Sequence, residues 1–402
     1  MVAVALLVML GATTRTPTPT PPLPPVLAEV DRIVREGFWD PKLKGVDWKT
    51  AVARAARELA AARTPSERDA VYDALLAGFQ DSHTFRLPAG RIPPRDWGTA
   101  GLRIGAQGEG YVITGVIPGS PADRAGLRLG DRVLAVDGKP YGRERVNFRD
   151  LFLVFEGPVG STLRLSWSRP PDSQPHEAAL IRTLEEPGDA LVWKSARIIR
   201  RDGKAYGYAH LWGLSAQTAL AVVDLLLNRE ESAGAKPELK GWEQIEGFLL
   251  DVRANSGGYD PNILATFLRG RWSSGDYWLV TREARRLIPP EYRALPVALL
   301  VNSGTASAGE ILALQFRRHG IGPIVGERTS GMASGGASPH ALSDGSTLWL
   351  SSGSLEDTQG VSYEGRGIAP DVTVPDRPPA AAGEEDAVVE AAIRALAGAV
   401  KR

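Results

Sequence analysis

From Pro25 to about Phe79 the apolar residues recur at helical spacing. Leu27, Val30, Ile33 and Val34 share one face, Val52, Ala55, Ala56 and Leu59 repeat it, and Ala70 to Phe79 forms a third run. Thr64-Pro65-Ser66-Glu67 supplies a cap, a first-turn proline and a glutamate three residues on, so a helix is expected to start there. At Asp81 the texture changes. Between Gly101 and Leu184 the apolar runs are short and separated by turn signals. Tyr111–Ile113, Arg132–Val136 and Thr162–Trp167 read as strands, Asp137-Gly138 as a turn, and Pro121–Ala125 as one short helix closing at Gly126. Beyond Leu191 strands and helices alternate: strands at Tyr206–Leu211, Phe248–Val252, Val297–Val301 and Pro323–Gly326, helices at Ala216–Asn228, Pro261–Phe267 and Ala308–Arg318. That order predicts an α/β layered domain with its loops gathered at one sheet edge. Glu384 to Val400 is amphipathic and closes the chain as a helix.

The pattern therefore describes an α+β multidomain chain. Its divisions are 1–25, a signal-like segment and proline-rich linker; 26–86, a helical domain; 87–184, a β-module; 185–378, an α/β domain; and 379–402, a C-terminal helix. A length of 402 residues agrees with several cores rather than one. The run Val2–Leu10 matches the apolar part of a signal peptide and is too short to span a bilayer. It suggests an extracytoplasmic location, in the periplasm or cell envelope, close to a membrane. Thr16 to Pro25 reads as a stiff, extended spacer.

Composition removes several function classes. Net charge is zero, against a nucleic-acid partner. There are no cysteines, hence no disulfides, thiolate zinc sites or cysteine nucleophile. No H-E-x-x-H, phosphate loop or dinucleotide fingerprint occurs, so neither metal nor cofactor is expected.

Two segments carry candidate chemistry. In P-V-A-L-L-V-N-S-G-T-A-S-A-G-E, from Pro296, a buried strand ends in a turn of small residues and a helix follows at once. Ser307 stands at the helix entrance, where free N–H groups and the positive dipole end would stabilise an alkoxide or oxyanion, the Ala308 N–H being one donor. A serine there is equally suited to capping the helix. In G-F-L-L-D-V-R-A-N-S-G-G, from Gly247, a strand runs into paired glycines. Gly257 or Gly258 is a candidate second oxyanion donor, and Ser256 a rival nucleophile.

Together these segments resemble the C-terminal processing (tail-specific) serine proteases. D-V-R-A-N-S-G-G is similar to one family block and N-S-G-T-A-S-A-G-E to the nucleophile block. V-G-E-R-T-S-G from Val325 and E-G-R-G-I-A-P-D-V from Glu364 match two more, in order. G-L-R-I at Gly101–Ile104 and G-S-P-A-D-R-A-G-L-R-L-G-D-R-V-L-A-V-D-G resemble the family's PDZ domain. The resemblance implies a crotonase-like layered protease domain and a Ser307 nucleophile. It also implies a PDZ site in which Gly101, Leu102, Arg103 and Ile104 bind the C-termini of polypeptide substrates, with Val116 and Leu127 in the module's core. Trp97, just before that loop, is expected to pack on it or gate the active site.

One departure bears on mechanism. The Ser–Lys members carry lysine in a T-x-G-K-G block, which here reads Thr329-Ser330-Gly331-Met332-Ala333, and the only lysine beyond Ser307 is Lys401. The chain resembles instead the tricorn-like branch, whose Ser-His-Ser-Glu set falls on Ser82, His83, Ser307 and Glu364. A histidine near its ordinary pKa of about 6.5 accepts a serine proton at neutral pH. His210 is the rival base, and reads more simply as a satisfied cleft histidine; Asp371 reads as a loop-shaping residue. The alternative overall is a catalytically inactive relative that binds peptides or other ligands on the same scaffold.

Overall fold

The computed structural model describes residues 22–90, 97–108, 110–142, 153–226, 239–258, 295–377 and 386–399. The run Val2–Leu10, most of the proline-rich stretch and the helix expected at 261–267 lie outside them. Three helices open the described chain: α1 (Pro25–Gly37), α2 (Trp48–Ala61) and α3 (Pro65–Ala77). The expected start of α3 is a reciprocal capping box: the Glu67 N–H donates to Thr64 Oγ1 (3.2 Å) and the Thr64 N–H to the Glu67 carboxylate (3.1 Å).

A five-stranded antiparallel ladder follows, in which β3 (Leu102–Gln107), β4 (Gly110–Val116), β5 (Arg132–Val136), β8 (Thr162–Ser168) and β9 (Pro175–Ile181) are neighbours in that order. The two-residue β6 (Lys139–Pro140) pairs with β5, the short helix α4 (Pro121–Arg124) lies between β4 and β5, and β2 (Trp97–Thr99) pairs with β7 (Glu156–Pro158). Trp97 thus sits in a strand opposite Pro158. Leu127 is in the module's buried cluster and Val116 packs against it.

The large sheet runs β10 (Arg197–Arg201), β11 (Lys204–His210), β12 (Gly247–Asp251), β13 (Val297–Val301), β14 (Ile324–Gly326), β17 (Val372–Thr373); only β10–β11 is antiparallel. Alternate residues of its strands face opposite layers. Phe248, Leu250, Leu299 and Val301 pack against helices α6 (Ala216–Leu226) and α7 (Ala308–His319). Leu249, Ala298 and Leu300 pack against the final helix, α8 (Ala387–Ala399). Burial on both faces is why these strands read as unbroken apolar runs. A further helix, α5 (Gly188–Ser195), leads into β10.

Two strands that the apolar pattern did not separate, β15 (Ala337–Ala341) and β16 (Thr347–Ser351), join β1 (Phe85–Leu87) in a three-stranded sheet of order β1-β16-β15. Leu342, Leu348 and Leu350 lie in one core with Leu27, Val30, Val34, Leu75 and Phe79. The helices therefore share their core with chain drawn from far along the sequence. Amphipathic helices need only an apolar partner, wherever in the chain it comes from. No helix among the described residues is long and apolar enough to cross a membrane.

The β-module sits tightly on the large sheet's loops. Asn302 Nδ2 donates to the Thr114 carbonyl (3.0 Å). A Cβ added at Gly304 would come 2.1 Å from Thr114 Oγ1, so only glycine allows this approach.

Candidate active site

The parallel strands β12 and β13 end side by side, at the sheet edge where ligands of such folds bind. Beyond β12, Arg253 donates to Asp251, Asp376 (2.7 Å) and Asp386 (2.6 Å), binding the loop to the C-terminal segment. Asn255 donates to the Leu211 carbonyl (2.7 Å), and its carbonyl oxygens accept from the N–H groups of Gly257 (side chain, 2.9 Å) and Ala306 (main chain, 2.9 Å). The D-V-R-A-N stretch thus joins the two loops.

Ser307 lies at the junction of β13 and α7 with φ 52° and ψ −119°. A residue with a Cβ rarely adopts this region, at a cost of about 1–3 kcal/mol. The surroundings impose it. The Ser307 N–H donates to the Met332 carbonyl (3.1 Å), and the Ser307 carbonyl accepts from Glu310 (2.8 Å) and Ile311 (3.1 Å). Gly257, with φ 90°, lies directly against it: a Cβ there would fall 2.6 Å from Ser307 Cβ. A strained turn between strand and helix lifts a serine hydroxyl clear of the backbone.

That hydroxyl meets a residue 224 positions away, with Ser307 Oγ 3.0 Å from His83 Nε2. His83 occupies the turn between α3 and β1. Phe79 anchors the turn by stacking on Phe38 and Trp48, with centroids 4.6 and 5.1 Å apart. Asp81 Oδ1 accepts from the His83 N–H and Thr84 Oγ1, both at 3.1 Å. His83 Nδ1 is 2.9 Å from Ser82 Oγ, and the Ser82 N–H donates to Glu364 Oε1 (2.6 Å). Glu364 Oε2 accepts from the Ala333 N–H (2.7 Å). All four sequence-selected residues therefore converge.

Burial pushes the His83 pKa down to about 4, against a smaller upward pull from Asp81. The ring is thus neutral well below the ordinary histidine pKa assumed from the sequence. Burial, then Asp81, raise the Glu364 carboxyl, while hydrogen bonds from Ser82 and Ser334 oppose the rise.

The candidate oxyanion donors differ in state. The N–H groups of Gly309, Glu310 and Ile311 have main-chain acceptors, whereas that of Ala308 has none among the described residues. The Gly257 N–H is taken by Asn255. Gly258 is bridged to Leu214 and exposed.

Around the carboxylate loop of the β-module, the Gly101 N–H donates to Thr99 Oγ1 (3.1 Å), and Arg103 Nη2 donates to both carboxylate oxygens of Glu185 (3.0 Å each). Leu102 and Ile104 are buried in the module's core. β3 remains the edge strand of its sheet.

His210 stacks on Trp212 (4.0 Å between centroids) and its Nε2 lies 2.9 Å from the Arg253 carbonyl, as a satisfied histidine. The Ser256 N–H donates to the Trp212 carbonyl (3.3 Å). Asp371 exchanges hydrogen bonds with Ile324 and shapes its loop.

Two neighbours take their roles from tertiary packing, and of these sequence reasoning passed over Glu310. Met332, where a dyad would carry lysine, is buried with Ala306 in the β-module's core, so that position is apolar packing. Glu310 is fully buried and accepts from Thr329 Oγ1 (2.6 Å), the Gly331 N–H (2.9 Å) and Ser330 Oγ (3.2 Å). Burial raises its pKa to about 7. A carboxylate three residues after a helix-entry serine is the signal that could have revealed it.

Residues 206–374 match Peptidase family S41, residues 112–153 a PDZ domain, and residues 26–77 the Tricorn protease C1 domain. Tricorn protease homolog 1 of Streptomyces coelicolor is 26% identical over 96% of this chain, which covers 36% of the homolog. A carboxyl-terminal-processing protease of a Picosynechococcus species is 27% identical over 77% of this chain and 74% of its own length. The chain spans about a third of the tricorn homologues it matches. Among solved structures, a photosystem II D1 C-terminal processing protease superposes with TM-score 0.61, 22% identity, 89% of this chain and 95% of the other. The tricorn protease superposes with TM-score 0.52, 18% identity, 94% of this chain and 36% of its own. With these matches falling in chain order on the helices, the β-module and the large sheet, the chain carries a peptidase family S41 domain together with a PDZ domain.

Proposed function

We propose that this chain is a serine endopeptidase in which Ser307 is the nucleophile and His83 the base, and that it selects polypeptides through their C-termini. The observation that carries the reading is the relay of 3.0 Å from Ser307 Oγ to His83 Nε2 and 2.9 Å from His83 Nδ1 to Ser82 Oγ, backed by Glu364. His83 takes the Ser307 proton as Oγ bonds to the scissile carbonyl carbon, then gives it to the departing amine; water repeats the sequence on the acyl-enzyme. The neutral ring is the form this step requires. Ser82 and Glu364 hold its orientation. Ala308 N–H is the first oxyanion donor, and Gly257 or Gly258 the second; Gly257 serves only by releasing Asn255.

The edge strand β3, with Gly101 to Ile104 beside it, suits a peptide that extends the sheet. We take 26–86, 87–184 and 185–378 as its domains, with 337–351 completing the first core, and place the chain outside the cytoplasm on the strength of the Val2–Leu10 run. The absent lysine is what keeps a catalytically inactive relative as the alternative, and the position of His83 Nε2, 3.0 Å from Ser307 Oγ, supports the active reading.

The test is casein cleavage together with labelling by a fluorophosphonate. Ser307→Ala is expected to abolish both, His83→Ala to reduce both by about 10³-fold or more, and chelators to change neither. Cleavage that survives Ser307→Ala sinks the assignment.

A further inference from the structure

We infer that Ser334 is a positioning residue of the same centre, whose hydroxyl helps select the histidine tautomer that can act as base. The inference rests on the reading of His83 given above. Ser334 is 3% exposed, and its Oγ lies 3.3 Å from Ser82 Oγ. Its side chain also bears on the Glu364 carboxylate and favours its charged form. Its segment is pinned on both sides: the Ala333 N–H donates to Glu364 and the Gly335 N–H to the Gly353 carbonyl (2.8 Å).

Counting protons gives the argument. To accept from Ser307, His83 Nε2 must be bare, so the ring proton is on Nδ1 and points to Ser82 Oγ. Ser82 then accepts from the ring, and its own single proton must go elsewhere. If that proton turned back to Nδ1, the ring proton would move to Nε2 and block the base. Two acceptors draw it away, the Glu364 carboxylate and Ser334 Oγ. Ser334 donates its own proton to Glu364, which leaves its lone pairs facing Ser82. The path Glu364–Ser334–Ser82–His83–Ser307 therefore runs in one donor direction, beside the direct contact of Glu364 with Ser82. Besides these hydroxyls, Asp81 on the histidine turn acts on Glu364 through its charge, and Glu364 in turn raises Glu310 on α7.

Steady-state kinetics on a quenched-fluorescent peptide test this, using Ser334→Ala, Ser82→Ala and the double variant. Ser334→Ala is expected to lower kcat about 10-fold, the worth of one hydrogen bond in a charged network, with KM unchanged. Protonation of Glu364 should now add to the acid limb that His83 sets in the parent and move it to higher pH, because Glu364 loses a donor that favours its charged form. In the Ser82→Ala background the same change should cost nothing further, whereas a residue that merely supports the fold would cost the same again. Ser334→Thr, which keeps the hydroxyl, should keep the acid limb in place. The inference is overturned by unchanged kcat and pH profile in Ser334→Ala, or by effects that multiply in the double variant. Turnover that persists in His83→Ala would instead remove the base assignment, and this inference with it.

Discussion

The contact between Gly257 and Ser307 allows a sharp prediction for Gly257→Ala. The added Cβ would lie 2.6 Å from Ser307 Cβ and 3.1 Å from its Oγ. Two carbons rest comfortably at about 3.5–4.0 Å, so one of them must move by about 1 Å. Gly257 cannot yield freely, because its N–H and carbonyl are bonded to Asn255 and to the Leu214 N–H. At φ 90° an alanine is itself strained, by about 1–2 kcal/mol. The displacement therefore falls on Ser307, whose own backbone is already strained. Shifting a nucleophile by this much costs about 10²-fold in rate. The measurement is kcat/KM on a peptide, paired with the second-order rate of fluorophosphonate labelling and with thermal unfolding to establish that the chain is folded. Gly110→Ala is the control, since a Cβ there meets open space. If folded Gly257→Ala retains labelling within about threefold of the parent, Gly257 does not fix the nucleophile's position and the argument fails.

Four further outcomes follow from the same structure. Because burial holds His83 at about 4 against an ordinary 6.5, the acid limb of kcat/KM should lie well below pH 6; a midpoint at 6.5 in a pH–rate profile would contradict the burial argument. The same shift lowers stability on acidification. Between pH 6.5 and 4 the unfolded chain takes up a proton that the native ring does not, so denaturant titrations across this window should lose about 3 kcal/mol from this group. Met332→Lys should not restore turnover to His83→Ala and should lower Tm, since it puts an ammonium into the apolar cluster around Ala306; recovery of activity would show that the position still admits a base. Leu348→Ala should destabilise the chain by about 2–5 kcal/mol, and limited proteolysis should then open α1–α3, because they share its core.

Much of this protein was legible without coordinates, because the signals were local. Helical spacing and the Thr64–Glu67 cap announced the first three helices, and continuous apolar runs announced strands buried on both faces. The small-residue turn before Ala308 marked Ser307 as the candidate nucleophile. Motif resemblance then selected Ser82, His83, Ser307 and Glu364, which the fold brings within hydrogen-bonding reach. What the chain's order concealed was everything that depends on a partner remote in sequence. β15 and β16 show their purpose only when they complete the core of α1–α3. Met332 is apolar because the PDZ module presses against it. His83 has its lowered pKa because that turn is closed off from water. Ser334 and Glu310 carry no motif of their own as polar partners, since a buried hydroxyl or carboxylate acquires its role from the groups that face it, and those are set by tertiary packing.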